Sequence, residues 1–181
     1  MREWLADAPL GRLLYCNIST GQYLPDWRPQ ADYRKTVSAL KDLGGGVGRE
    51  LSHELDLAQY LFGKLRLVDK YVAKLGELEI ETEDFVNYRL DTQTGTFVMV
   101  TVDFLQRKAS MELKLVGSNG SLIGDLVNEQ FVVQHSNADE YYLDLPQTES
   151  WGNNYRKQVS ALMARSPLCS FIEAEKLVSF F

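Results

Sequence analysis

Cysteine and histidine are scarce in this chain of 181 residues, which contains two of each. The cysteines, Cys16 and Cys169, lie far apart without metal-ligand spacing, and one pair of cysteines is not a disulfide framework. The histidines, His53 and His135, fall on different predicted elements and make a weak zinc ligand set. The sequence therefore predicts reduced thiols, no disulfide scaffold and no metal site.

Long apolar runs and an excess of positive charge are also missing. No apolar stretch approaches the roughly 18–20 residues of a membrane span. Residues 1–16 contain Asp7, Pro9 and Arg12 where a signal peptide needs an apolar segment. With 19 Lys and Arg against 25 Asp and Glu, the net charge is −6, which argues against nucleic acid and anionic membranes as partners. We expect a soluble, cytoplasmic protein.

The composition is that of an ordinary globular protein, with 45% hydrophobic and 24% charged residues. We found neither repeats nor an internal linker, so residues 1–181 are expected to form a single domain.

Alternation of apolar and polar residues with a period of two dominates the middle of the chain. The turn residues in 91–95 and 117–120 suit hairpins, so most neighbouring strands should be antiparallel. Strands are expected near residues 12–21, 65–74, 84–91, 96–105, 109–117, 120–126 and 129–135.

In the segments before and after these strands, apolar residues recur at the spacing of a helix. Two of the helices are expected to end at Gly63 and at the pair Ser166-Pro167. Helices are expected near residues 2–6, 48–62, from after Pro146 to the Ser166-Pro167 stop, and 170–178. The helix after Pro146 should bury one stripe, formed by Trp151, Tyr155, Val159 and Leu162 or Met163. Together the pattern predicts an α+β fold, a large and mainly antiparallel sheet with helices packed on one face.

The helix near 48–62 carries the strongest chemical pattern. Glu50, His53 and Asp56 are spaced three apart, which allows their side chains to project to one side. A histidine flanked by carboxylates suits general acid or base catalysis near neutral pH. The alternative is that the imidazole bonds to a loop carbonyl and the acids are solvated.

The glycines at 44–48 precede this helix, and the N-terminus of a helix can bind a phosphate group. Neither known nucleotide-binding spacing is present, however, because Gly-x-Gly-x-x-Gly does not follow a strand and no Gly-Lys-Ser/Thr ending occurs. We therefore expect the glycines to allow tight turning and close packing.

Residues 22–43 read as a long structured loop with one helical turn near Val37. This loop mixes aromatic rings with charged groups, a combination that suits a sugar, whose apolar faces stack on rings while its hydroxyls bond to charged groups. The alternative is that the same side chains only hold the loop in place. The candidates for substrate binding are Trp27, Arg28, Asp32, Tyr33 and Arg34.

Four segments, 24–34, 44–56, 60–63 and 116–122, together resemble the glucose-fructose oxidoreductase, inositol dehydrogenase and MocA family (Gfo/Idh/MocA). Their order and intervals are similar to those of the family's C-terminal domain, which has a dihydrodipicolinate-reductase-like fold, and the resemblance covers nearly the whole chain. It is strongest for members tied to bacterial surface-sugar and surface-polysaccharide biosynthesis.

The resemblance implies hydride exchange between NAD or NADP and a sugar or nucleotide sugar. It places His53 at the reacting hydroxyl and implies that Glu50 positions the substrate, with Asp56 as a further substrate contact. Many members have an aspartate four residues before the histidine, whereas Glu50 is three before it. Residues three or four apart lie on the same face of a helix, so Glu50 can still take the family's substrate-positioning role.

The family's Rossmann domain and its Glu-Lys-Pro motif have no counterpart in residues 1–181. The resemblance therefore implies that this chain is inactive alone and acts with a separate nucleotide-binding domain, because the cofactor supplies the hydride. It also implies a homo-oligomer formed through the open sheet. The alternatives are a non-catalytic sugar-binding or oligomerisation module and, more remotely, a metal-dependent isomerase that uses His53.

Overall fold

The computed structural model describes residues 1–135, 139–144, 151–164 and 170–181. Their contacts group the chain into two units, Met1–Leu143 and Asp144–Phe181. The first unit contains the sheet and the site, and the second contains two helices.

Eight strands of the first unit form one sheet in the order β2-β3-β4-β1-β5-β6-β7-β8. All neighbours are antiparallel except β1 and β4, which are parallel. The strands are β1 Leu13–Gly21, β2 Leu65–Ala73, β3 Phe85–Thr92, β4 Phe97–Asp103, β5 Ser110–Gly117, β6 Gly120–Asp125, β7 Gln130–His135 and β8 Glu140–Tyr142. The predicted sheet and both hairpin connections are confirmed.

The first strand in the chain lies at the centre of the sheet. Cys16 and Ile18 of β1 are fully buried, as expected for alternate side chains that face a core. At its end, Gly21 pairs with Asp103 of β4 on one side and with Ser110 of β5 on the other. Three chain segments that are distant in sequence therefore meet where β1 ends.

The helices of the first unit are α1 Arg2–Ala6, α2 Leu24–Trp27, α3 Val47–Glu50 and α4 His53–Phe62. Helix α3 contacts β3 and β4, and α4 contacts β1, β2 and β4, so both cover the central strands. Arg2 of α1 lies over the ring of Tyr60 in α4, with its guanidinium carbon 5.4 Å from the ring centre. An α+β fold with an open, mostly antiparallel sheet is confirmed.

The core lies on the helix-covered face, where alternate strand residues are buried. The buried strand residues include Val86, Tyr88, Leu90, Val98, Val100, Val102, Leu113, Leu115, Leu122 and Val133. On the other face, residues such as Phe97 and Met99 are only partly buried.

The prediction of one continuous helix over 48–62 was wrong, because the structure has two helices, α3 and α4, which are separated at Leu51 and Ser52. Leu51 has φ −103° and ψ 30°, outside the helical region. The amide of Ser52 donates to the carbonyl of Arg49, three residues earlier, so the turn is tighter than an α-helix. Helix α4 ends as expected at Gly63.

The loop 22–43 is more regular than the single turn predicted near Val37. Besides α2 it contains three 3₁₀ turns, Tyr33–Lys35, Val37–Ala39 and Lys41–Leu43. Glu81 fixes the loop, since its amide donates to the carbonyl of Ala39 and its Oε2 accepts from the amide of Lys41.

The second unit contains α5 Trp151–Met163 and α6 Phe171–Val178. The prediction that α5 buries one stripe of side chains was wrong for four residues. These are 56–81% exposed: Tyr155, Val159, Leu162 and Met163. Helical spacing shows which side chains share a face but supplies no surface to cover that face. The side chain of Trp151, and Pro146, Ser166, Pro167 and Cys169, lie outside the described residues.

Helix α6 begins at Phe171, one residue after the predicted start, and Ser170 caps it. The Ser170 hydroxyl accepts from the amide of Glu173, and the Glu173 carboxylate accepts from the amide of Ser170. These bonds lower the pKa of Glu173.

The glycine turn before α3 yields a test of the fold. Gly46 has φ +115°, and an added Cβ would lie 2.3 Å from the Glu83 carboxylate. We expect Gly46→Ala to lower the free energy of unfolding by about 2–3 kcal/mol, from the backbone strain and from displacement of the Glu83 carboxylate from the amide of Gly48. Gly95 also has positive φ but open space around it, so Gly95→Ala should cost only about 1 kcal/mol. Urea unfolding measures both, and equal losses would contradict this account of the turn.

Candidate active site

A cleft of about 350 Å³ opens where β1 ends. Strand β1 leads into the loop that carries α2, while the junction of α3 and α4 and the start of β5 approach from other parts of the chain. The lining residues are Thr20, Gly21, Gln22, Trp27, Glu50, Leu51, His53, Ala109, Ser110, Met111 and Val127. Three of the sequence-predicted residues, Trp27, Glu50 and His53, therefore meet at one cleft.

His53 is the first residue of α4, and its side chain is 58% exposed at the cleft. Its Nε2 lies 3.2 Å from Oε1 of Glu54, an ion-pair distance without the alignment of a hydrogen bond. The Glu54 carboxylate raises the pKa of His53, partial burial opposes this, and Asp56 raises it further. The ring is therefore protonated to a higher pH than an ordinary histidine.

Glu54 is fully buried, although it was not among the predicted site residues. Neither of its carboxylate oxygens has a hydrogen-bond partner among the described residues. The sequence did contain a signal for it, because position 54 falls between Leu51 and Ala58 on the apolar side of the helical pattern. A carboxylate at such a position is unusual unless it is paired.

Glu50 ends α3 on the opposite side of the break from His53. Its Oε1 accepts a hydrogen bond from the Ser38 hydroxyl at 3.0 Å. The Ser38 carbonyl in turn accepts from the Thr82 hydroxyl and from the amide of Gly46. Glu50 is thus held by the loop and the glycine turn, and none of the hydrogen bonds between described residues uses its Oε2.

Trp27 and Thr20 bring unpaired polar atoms to the cleft. Thr20 Oγ1 and Trp27 Nε1 are both buried, and in the described part of the chain neither has a hydrogen-bond partner. The Trp27 ring is fixed by an edge contact with Phe104, with 5.3 Å between ring centres. Thr20 was missed because in the sequence it is one more residue of an alternating strand.

Arg28 and Tyr33 lie beside a second, much smaller cavity, which shares Trp27 with the cleft. Its volume of about 10 Å³ is about that of one water molecule. The Tyr33 hydroxyl accepts from the amide of Glu79 at 3.2 Å. Neither Arg28 nor Tyr33 lines the larger cleft.

Asp32 and Arg34 pair with each other. Arg34 donates from Nε and Nη2 to the two carboxylate oxygens of Asp32, at 2.8 and 3.1 Å, and from Nη1 to Glu79 at 2.9 Å. The hydrogen bond from Arg34 lowers the pKa of Asp32. These contacts agree with the alternative that the two side chains hold the loop in place. Asp56 is exposed and does not line the cleft, so substrate contacts by Asp32, Arg34 and Asp56 stay predictions.

The glycine turn at the start of α3 is filled by a carboxylate of the chain itself. The amide of Gly48 donates to Glu83 Oε1 at 3.2 Å, and an added Cβ on Gly45 would lie 2.1 Å from the carbonyl oxygen of Val37. Close packing therefore explains the glycines, as predicted. A phosphate group would compete with Glu83 for the same amide and meet its negative charge.

An open, mostly antiparallel sheet with one helix-covered face and a cleft at the end of its central strand defines the class of this domain as α+β. Residues 1–123 match the family model described as GFO/IDH/MocA C-terminal domain. That is more than half of the chain, and the chain belongs to this family.

Solved structures share the fold at low sequence identity. The UDP-N-acetylglucosamine 3-dehydrogenase GnnA from Acidithiobacillus ferrooxidans is 15% identical with a TM-score of 0.70, and the match covers 98% of this chain and 54% of that one. An NAD binding oxidoreductase from Klebsiella pneumoniae is 17% identical with a TM-score of 0.64, covering 78% and 42%. A levoglucosan dehydrogenase in complex with NADH and levoglucosan is 16% identical with a TM-score of 0.64, covering 81% and 42%.

The chain thus spans about half the length of these structures. A search of curated proteins gave no match. In the part of the chain that the structure describes, no helix combines the length and the apolar character needed to cross a membrane.

The contact between His53 and Glu54 predicts a pH-dependent stability. Because the folded state raises the pKa of His53, the contact stabilises the protein fully below the unfolded-state pKa of about 6.5 and this contribution is lost as the pH rises through the folded-state pKa. The wild type should therefore lose stability relative to His53→Gln as the pH rises from about 5 to about 8. Urea unfolding of both proteins across this range measures the difference, and parallel curves would contradict the prediction.

Proposed function

We propose that this chain is the sugar-binding, catalytic-side domain of an oxidoreductase that exchanges hydride between NAD or NADP and a sugar hydroxyl or carbonyl. The observation that carries the proposal is the cleft, where the His53 imidazole, backed by a buried carboxylate, lies beside the unpaired polar atoms of Thr20 and Trp27. Membership of the Gfo/Idh/MocA family supports it.

The lining of the cleft suits a carbohydrate. The Trp27 ring offers an apolar surface for a sugar face, and its Nε1 can donate to a hydroxyl. Thr20 Oγ1 can donate or accept, and Glu50 Oε2 can accept. The names of two similar structures, a UDP-N-acetylglucosamine 3-dehydrogenase and a levoglucosan dehydrogenase, favour a sugar or nucleotide sugar as the substrate class.

His53 would move the proton of the reaction. Oxidation of a CH–OH group to a carbonyl removes a hydride and the hydroxyl proton. With Nε2 facing Glu54, Nδ1 of the neutral ring can accept that proton, and the imidazolium that forms is stabilised by the carboxylate behind it. In the reverse direction the protonated ring gives the proton back to the carbonyl oxygen. Since the pKa of His53 is raised, the protonated form needed for reduction persists to a higher pH than in an ordinary histidine.

The glycine turn, the sequence's one candidate phosphate site, does not fit the phosphates of a dinucleotide. The glycine turn at the start of α3 is filled by the Glu83 carboxylate, so we propose that a separate nucleotide-binding domain holds the cofactor. The cofactor, when bound there, supplies or accepts the hydride. This chain would orient the sugar and move the proton.

Assembly is a further part of the proposal. The sheet face that carries Phe97 and Met99 is only partly buried in a single chain, which suits the homo-oligomer expected through the open sheet. A cytoplasmic location and a role in surface-polysaccharide biosynthesis stay predictions.

Two threonines test whether the cleft binds sugar. Thr20 and Thr82 are both buried, but among the described residues only Thr82 has a partner for its hydroxyl, the carbonyl of Ser38 at 2.9 Å. Thr82→Val should lower the free energy of unfolding by about 0.5–1.5 kcal/mol, because the Ser38 carbonyl loses one of its two donors and keeps the amide of Gly46. Thr20→Val should instead raise it by about 1 kcal/mol, because it removes a buried hydroxyl that has no partner among the described residues, and yet weaken binding of a sugar ligand by roughly 3- to 10-fold.

Urea unfolding measures the stabilities, and calorimetry with UDP-N-acetylglucosamine and levoglucosan measures binding. If the wild type binds a sugar and Thr20→Val binds it with the same affinity, the sugar does not bind in this cleft. Wild-type sugar binding without turnover, when a nucleotide-binding domain and cofactor are supplied, would favour a non-catalytic sugar-binding module instead.

The separation of the two sites predicts that this chain alone does not bind the cofactor. Titration with NADH and NADPH to millimolar concentration, followed by nicotinamide fluorescence and calorimetry, should show no saturation, because no dinucleotide phosphate fits the filled glycine turn. Saturable micromolar binding would contradict this. Gly46→Ala, which disturbs the turn, would then show whether the nucleotide lies there.

A further inference from the structure

We infer that Glu54 is a positioning residue, a buried carboxylate that holds the His53 ring by its Nε2 and leaves Nδ1 as the nitrogen that serves the cleft. The inference rests on the proposed function for its catalytic meaning, but the contact on which it depends is a property of this chain alone.

The first argument is the cost of burying Glu54. Its side chain is 0% exposed, and it lies on the apolar side of α4 with Leu55 and Ala58, which are also buried. Within the described chain, neither carboxylate oxygen accepts a hydrogen bond. Burial of an unpaired carboxylate destabilises a fold, and an apolar side chain of similar volume would pack there without that cost. Stability alone therefore does not account for a glutamate at this position.

The second argument is the geometry of the pair. Nε2 of His53 is 3.2 Å from Oε1 of Glu54, close enough for a small rotation of the ring to form a charge-assisted hydrogen bond. A carboxylate next to one ring nitrogen keeps the proton of the neutral imidazole on that nitrogen. The other nitrogen is then unprotonated, which is the state that a general base requires.

The third argument is that other charges near α4 do not replace Glu54. On the helix-covered face, β1 offers only the buried Cys16 thiol, β2 offers Lys70, and the residues of β4 that face the helix are valines. Asp56 on α4 is exposed, and Glu50 lines the same cleft as His53 while its carboxylate is bonded to Ser38 of the loop. Of the charges that act on the imidazole, Glu54 has the largest effect and Asp56 a smaller one in the same direction.

Glu54→Gln tests the inference because it removes the charge and keeps the size of the side chain. The whole chain has two histidines, so imidazole signals in ¹H–¹⁵N spectra can be assigned with His135→Gln, and His135 then serves as an internal reference for solution conditions. In Glu54→Gln we expect the pKa of His53 to fall and its neutral ring to shift away from the form protonated at Nε2. Glu50→Gln, across the cleft, should leave that tautomer unchanged.

The unfolding midpoint completes the experiment. A merely structural role for Glu54 predicts loss of stability with an unchanged His53 tautomer, and that result would overturn the inference. If Glu54→Gln does not fold, Glu54→Asp is the second variant: its shorter side chain keeps the charge but withdraws it from Nε2, so the tautomer should shift in the same sense. Unchanged tautomer and pKa in the variant that folds would also overturn the inference. These spectra need neither sugar nor cofactor, so a failure of the proposed function is seen separately, as a failure of sugar binding.

Discussion

The candidate site depends on the position of β1 between β4 and β5. This strand is the first in the chain, yet it lies at the centre of the sheet, parallel to β4 and antiparallel to β5. Its last residue, Gly21, therefore pairs with Asp103 and Ser110 where these three central strands end or begin. The Asp103 carboxylate closes the turn after β4 by accepting from the amides of Leu105 and Gln106. The cleft opens beside this junction, and without the pairing of β1 the loop with Trp27 would not reach it.

A run of carboxylates at 79–84 fixes segments of the chain that lead to the cleft. Glu79 binds Arg34, Glu81 accepts from the amide of Lys41, and Glu83 accepts from the amide of Gly48. Asp84 accepts from the two amides that turn the chain after β2. Alternate acidic side chains in one extended segment thus hold the loop, the glycine turn and a strand connection. Most of the carboxylates in this region bind other parts of the chain. The acidic composition therefore gave no indication of the ligand.

The sequence predicted features that depend on neighbours along the chain and missed those that depend on distant ones. The hairpin between β3 and β4 follows from local alternation and a turn closed at Gly95, where φ is +80°. The parallel pairing of Tyr15 with Phe97 joins residues about 80 positions apart, and alternation does not specify which strands meet. The prediction that Glu50 and His53 share a site was based on spacing in one helix. In the structure, the break at Leu51 separates them into two helices, and tertiary contacts bring both to the cleft.

The contrast between local and distant contacts also explains which site residues could be predicted from helical spacing. Helical spacing picks out polar side chains on the exposed face, and so it led to His53 and Asp56 and passed over Glu54 on the buried face. Yet the buried carboxylate is the more informative residue, because burying a charge without a hydrogen bond is unfavourable and must be offset. Thr20 Oγ1 and Trp27 Nε1 are likewise buried without partners beside the same cleft. Under the proposed function, a ligand with several hydroxyl groups would bond to these two atoms after a local rearrangement that exposes them. Polar atoms that cost stability in the empty protein would then contribute to affinity and to the orientation of the reacting group.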